Sequence, residues 1–156
     1  MFWNGLGRYA DVGLLIFRLG FGLGFIYYHG GVKLGESAED WIQTGSAMQH
    51  FGITFGYYYW GAAAAIGETL GGLLLALGLF FRPAAAMLTW IMITAFTDNS
   101  LTGGQTSHPF KNIWLFAGMI FIGPGKYSLD YLLARKREAK HAPLRAATET
   151  AGIGQR

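Results

Sequence analysis

Apolar residues dominate four stretches of this chain, and polar residues collect between them. The first stretch, VGLLIFRLGFGLGFIYYHG, runs from Val12 to Gly30 and is interrupted only by Arg18. The second, YYWGAAAAIGETLGGLLLALGLFF, covers Tyr58 to Phe81 and contains Glu68. The third, AAAMLTWIMITAFT, is followed at once by Asp98, and the fourth, FKNIWLFAGMIFIG, stops at Gly123-Pro124-Gly125. A bilayer core takes about 20 helical residues. The first two stretches reach that length, whereas the third and fourth are short for it. The pattern predicts an all-α fold, a transmembrane four-helix bundle with spans at about 9–29, 58–81, 83–100 and 109–123. Pro83 after Phe81-Arg82 suits the first turn of a helix. No repeat with a period of about 20 to 50 residues is visible.

Two amphipathic stretches lie outside the spans. In SAEDWIQTGSAMQHFG, Ser37 is followed three residues later by Asp40, a capping-box spacing. Trp41, Gly45, Met48 and Phe51 then recur at helical intervals, which predicts a short helix on the membrane surface. In SLDYLLARKREAK, Leu129, Leu132 and Leu133 oppose Arg135, Lys136 and Arg137. That pattern predicts an interfacial C-terminal helix on an anionic leaflet. Residues 1–141 form one membrane domain in this reading, and 142–156 a flexible cytoplasmic tail.

Composition agrees with a membrane protein. Charged residues make up 13% of the chain, against about 25% in soluble domains. There is no cysteine, which excludes disulfides, thiolate chemistry and Cys-ligated metal clusters. Lys and Arg fall mainly on one side: Arg8, Arg82, Lys126 and the basic tail, against Lys33 and Lys111 on the other. The positive-inside rule then puts both termini in the cytoplasm. The implied location is a bacterial cytoplasmic membrane, crossed several times, with the bilayer and other subunits or further copies as partners and no nucleic acid.

An unpaired charge in hydrocarbon is costly, so Arg18 needs a partner. Glu68 is the one carboxylate deep in a span. Counting helix rise from opposite ends puts both near mid-bilayer, which predicts an Arg18–Glu68 pair. Gly20 and Gly24, and Gly67 and Gly71, are spaced to let the two helices approach. Such a pair is either architectural or the floor of a ligand site. Arg18, Gly22, Phe25, His29 and Lys33 share one helix face that climbs to the outer surface. Asp98, His108, Lys111 and Asn112 belong at the same level. Together these eight polar residues outline an outward-facing pocket. The alternative for Lys33 and Lys111 is snorkelling to phosphates, and for His108 a solvated loop. His29, His50 and His108 show no metal-ligand spacing, so no metal and no intrinsic cofactor is expected.

The segments RLGFGLGFIYYHGGVKL, GETLGGLLLALGLFFRPAA and GPGKYSLD resemble, in that order, signature segments of the DoxX family. The resemblance implies a four-helix integral membrane protein associated with membrane redox systems, including the small subunit of thiosulfate:quinone oxidoreductase and complexes of oxidative-stress defence. It singles out Arg18, His29, Lys33 and Glu68. A quinone-linked accessory subunit, rather than an enzyme on its own, is the function it implies, since the chain supplies no electron carrier. A small transporter or binding module, and a purely structural anchor, are the alternatives.

Overall fold

The computed structural model describes residue 7 and residues 9–153, with side chains described through residue 141. Among the described residues there are helices and turns and no strand. Helix α1 is a continuous rod, Ala10–Leu34, with one π-helical turn at Ile26–Gly30. Helix α2, Ala38–Ser46, ends in a 3₁₀ turn, Ala47–Phe51. Three bundle helices follow: α3 at Tyr57–Leu77, α4 at Phe81–Thr102 and α5 at Ser107–Ile122. Helix α6 is Leu129–Ile153.

Two of these helices, α1 and α3, are long and apolar enough to cross a membrane. Helix α1 runs past the double glycine at which the apolar stretch was expected to end, because the wide turn carries the helix through Gly30 and Gly31. Helix α4 is 22 residues long, well beyond its 14 uninterrupted apolar positions, because its polar last turn stays helical. Helix α3 stops at Gly78, which takes the left-handed conformation open to glycine at φ 63°. The backbone of α6 is helical where a flexible tail was expected; the side chains from residue 142 on lie outside the described residues, as does Arg8.

Helix α3 packs against α1 and α4, and α5 packs against α4. The core is apolar: Phe25, Leu75, Phe81, Leu88, Met92, Phe116 and Met119 are buried together. Glycines set the closest crossings, but not the glycines expected. A Cβ on Gly22 would sit 2.6 Å from the Gly72 carbonyl, and one on Gly30 would run into Thr69. Gly67 and Gly71 face Ile91 and Leu88 of α4, while Gly20 and Gly24 face open space. The α1–α3 contact thus uses Gly22 and Gly30 on α1 and Gly72 on α3.

Helix α2 begins with the capping box that the spacing predicts, with Ser37 and Asp40 each accepting from the other's backbone N–H. It packs directly on the first turns of α3. A Cβ on Gly45 would strike the Tyr57 carbonyl, and one on Gly61 would strike that of Trp41. It therefore closes one end of the bundle.

Candidate functional site

Arg18 and Glu68 do not meet. Both are buried, with 1% of each exposed, but they belong to different ends of the molecule. The antiparallel register explains this. Gly22 lies against Gly72 and Ala76, and Arg18 lies against Gly78. Gly78 is ten residues beyond Glu68 on the chain, about 15 Å by helix rise. Counting depth from the ends of the apolar stretches missed that offset, because the helix ends are not level: α1 begins about two turns before Arg18, which lies against Gly78 just past the end of α3.

Arg18 is answered by backbone. Its guanidinium donates to the carbonyls of Pro124 and Tyr127, the latter at 3.1 Å. Those carbonyls belong to GPGKYSLD, which folds under the bundle as a clamp. Asp130 accepts from the N–H groups of Phe80 and Phe81, both at 3.0 Å, and so caps α4. The Asp130 N–H donates to the Gly78 carbonyl at 3.0 Å. The Lys126 N–H donates to Asp11, and its ammonium pairs with the same carboxylate at 3.2 Å. Ser128 is fully buried, donates to the Gly125 carbonyl and accepts from the Tyr131 N–H.

Glu68 is answered by Lys33. The Lys33 ammonium lies 2.7 Å from Glu68 Oε1. Glu68 Oε2 is buried and has no hydrogen-bond partner. The π turn makes the reach possible. Adding one residue to a turn lets two neighbouring positions, His29 and Gly30, both face inward. Gly30 then seats on Thr69, His29 turns toward α5, and Lys33 falls over Glu68. The Trp41 indole donates to the Lys33 carbonyl at 2.7 Å and ties this end of α1 to α2.

The other polar residues fall into two groups around that pair. His29 and His108 face each other, ring centroids 4.5 Å apart, and the Asn112 amide nitrogen is 3.3 Å from the His108 ring nitrogens. These three residues close the polar end of a cleft of about 430 Å³ between α1 and α5. Gly20, Phe21, Gly24, Phe25 and Tyr28 line the rest of it. Lys33 lines a second pocket of about 250 Å³, with Thr44, Trp60, Thr94, Asp98 and Asn99. Asp98 pairs there with His50 Nε2 at 3.0 Å. Lys111 is exposed on the first turn of α5 and joins neither group.

Of the eight residues expected in one pocket, five line these two cavities, and Glu68 joins them through its pair with Lys33. Arg18 belongs to the clamp and Lys111 to the surface. His50 was overlooked as the partner of Asp98: in the sequence it is a lone histidine on a linking segment. The π turn carries no signal in residue pattern either, since IYYHG reads as ordinary helix. Among the described residues, no group of three or more His, Asp or Glu is placed to hold a metal ion.

Among the described residues the protein is all-helical, two of its helices are long and apolar enough to cross a membrane, and Lys33 pairs with the buried Glu68 beside a polar pocket. A family model for DoxX matches residues 13–99, more than half of the chain, and the chain belongs to the DoxX family. The matched region takes in α2, α3 and nearly all of α1 and α4, and stops before GPGKYSLD. No curated protein and no solved structure matches the chain.

Proposed function

We propose that this chain is the accessory membrane subunit of a quinone-linked redox complex, and that it holds a quinone-class ligand in the cleft between α1 and α5. The observation that carries the reading is the make-up of that cleft. Phe21 and Phe25 supply flat apolar walls, and Gly20 and Gly24 leave room beside them. His29, His108 and Asn112 supply hydrogen-bond donors at one end for carbonyl oxygens. A bound quinone would supply the electron-accepting ring, and the protein its orientation.

In this reading α1, α3, α4 and α5 each cross a bacterial cytoplasmic membrane, with both termini inside. Exposed apolar side chains such as Ile16, Leu23, Ile66, Trp114 and Phe121 suit a lipid-facing surface. Arg82, Lys126 and the basic face of α6 gather at the clamp end, and Lys33 and Lys111 at the other. The positive-inside rule makes the clamp end cytoplasmic. The polar pocket at Lys33 and Asp98 favours a second reading, a carrier or binding module for a small hydrophilic molecule.

The test is retention of quinone through purification in mild detergent, measured by mass spectrometry of the lipid extract. A Cβ on Gly24 meets nothing within 4 Å. Gly24→Leu therefore fills the cleft while leaving the helix packing intact. Quinone that accompanies wild-type protein and is lost from Gly24→Leu and His29→Ala supports the reading. Equal retention by all three, or none in the wild type, sinks it.

A further inference from the structure

The turn between α3 and α4 holds a backbone conformation that its own packing does not explain. Phe80 is the one non-glycine residue with a positive φ among the described residues, at 45°. A bulky side chain is disfavoured there, whereas glycine takes the conformation freely. Asp130 fixes the turn by accepting from the Phe80 and Phe81 N–H groups. The Phe80 ring is left 64% exposed at the wall of a cavity of about 530 Å³. Burial of the ring therefore does not offset the strain. Two cations and two carboxylates share that wall: Arg82 and Lys126, Asp11 and Asp130. Their formal charges cancel, but their commitments do not. Asp130 has both oxygens on the two N–H groups, and Asp11 has both on Lys126, one on its N–H and one on its ammonium. Arg82 is exposed and makes no hydrogen bond or ion pair among the described residues. Its guanidinium lies over Gly123, where a Cβ would come within 3.5 Å of it.

We propose that this cavity seats the headgroup of an anionic phospholipid, with the Arg82 guanidinium on the phosphate oxygens and the Phe80 ring against the glycerol and the first acyl carbons. The site is separate from the α1–α5 cleft and does not depend on what the cleft holds. Its level in the membrane fits. The clamp forms where α1 starts and α3 ends, and these are the two helices long and apolar enough to cross a bilayer. The cavity then stands where headgroups lie. Its rim fits as well. Phe121 and Ile122, on the last turn of α5 just before Gly123, are 84% and 70% exposed, and Phe121 is the most exposed large apolar side chain among the described residues. An uncommitted guanidinium beside such a surface matches a molecule with an anionic head and a hydrocarbon tail. A soluble anion would use the guanidinium and leave the apolar rim in water. The planar fork of arginine suits two phosphate oxygens at once, and Tyr131 adds a hydroxyl donor at the wall. Arg135, Lys136 and Arg137 follow on α6 and draw anionic lipid toward this end.

Native mass spectrometry of the detergent-purified protein reads the bound lipid and its affinity. Phosphatidylglycerol and phosphatidylcholine with the same acyl chains are titrated separately, and inorganic phosphate serves as the soluble competitor. One phosphatidylglycerol per chain is expected to bind in preference to phosphatidylcholine, whose fixed cation would face Lys126 and the basic turns of α6. Added phosphate is expected not to displace it. Arg82→Gln should weaken phosphatidylglycerol binding by about 10- to 100-fold, the range of hydrogen bonds to a charged group. Arg137→Gln removes the same charge outside the cavity and should weaken binding by no more than about fivefold, the general attraction of one basic side chain. Phe80→Gly supplies a variant that keeps the fold. Glycine takes the positive φ without strain, so the lipid-free protein should unfold at the wild-type temperature or above it, while phosphatidylglycerol binding falls. Equal weakening by Arg82→Gln and Arg137→Gln overturns the site in favour of diffuse attraction to α6. Equal binding of the two lipids overturns it too. Displacement by inorganic phosphate overturns the lipid and assigns the cavity to a soluble anion.

Discussion

At the scale of single residues, two buried charges find opposite kinds of partner. Arg18 is paired with main-chain carbonyls and Glu68 with one lysine ammonium, and each keeps one buried atom without a partner, Nε and Oε2. Removing one member of a buried pair is far more damaging than removing both, because the survivor keeps its desolvation penalty without its partner. Lys33→Met is expected to destabilise the protein by about 2 kcal/mol, below the usual 3–5 for a fully buried pair because part of Lys33 reaches solvent. Lys33→Met combined with Glu68→Leu is expected to regain most of that loss. Thermal unfolding of the two singles and the double in detergent measures the coupling, and additive losses would show that the pair contributes nothing as a unit. That Arg18 and Glu68 each need a partner was legible from an apolar run with a charge inside it. Which partner was not legible, because the answer depends on helix register, and register is set by where Gly22, Gly30 and Gly72 touch.

At the scale of elements, the glycines divide by function in a way spacing alone does not reveal. Gly45 and Gly61 let α2 lie backbone to backbone on α3, so Gly45→Ala must push the helices apart. It is expected to cost several times the ~1 kcal/mol typical of a point substitution and to open the 35–56 segment to proteolysis. Gly20→Ala meets nothing and is expected to leave stability unchanged. Equal protease resistance in both variants would show that α2 is not held by this contact. The capping box of α2 was legible because its signature lies within four residues, Ser37 to Asp40. The Ser37 hydroxyl and then its backbone N–H hold the Asp40 carboxyl below its ordinary value. A lowered folded-state value means that the stabilisation is present above the ordinary carboxylate range and fades as pH falls through the folded value. Ser37→Ala is expected to reduce that acid sensitivity in the exchange of the α2 amide protons, since the hydroxyl is lost and the backbone N–H remains, while leaving their exchange at neutral pH only modestly faster. An unchanged pH profile would place the interaction elsewhere.

At the scale of the whole molecule, the two ends are built for different tasks. The clamp end is closed by a chain of hydrogen bonds that links α1, the α3–α4 turn and α6 through Arg18, Asp130 and Gly78. The other end holds the unsatisfied carboxylate oxygen, the facing histidines and the two flanking cavities. Each end also keeps one buried polar atom without a hydrogen-bond partner, Arg18 Nε at the clamp and Glu68 Oε2 at the other. This division makes a prediction that separates Arg18 from the other residues marked by the family resemblance. Arg18→Leu deprives the Pro124 and Tyr127 carbonyls of their buried donor. It is expected to destabilise the fold by about 2–3 kcal/mol, the scale of a lost hydrogen bond to a charged group. Exchange should accelerate at the amides of Ser128, Asp130 and Phe81, all within the clamp. In protein that remains folded, ligand retention in the α1–α5 cleft should stay at the wild-type level, because Arg18 lines neither the cleft nor the outer pocket. His29→Ala should show the reverse, with exchange at the clamp unchanged and retention lost. If Arg18→Leu instead empties the cleft at full stability, the two ends are coupled and the clamp belongs to the binding site.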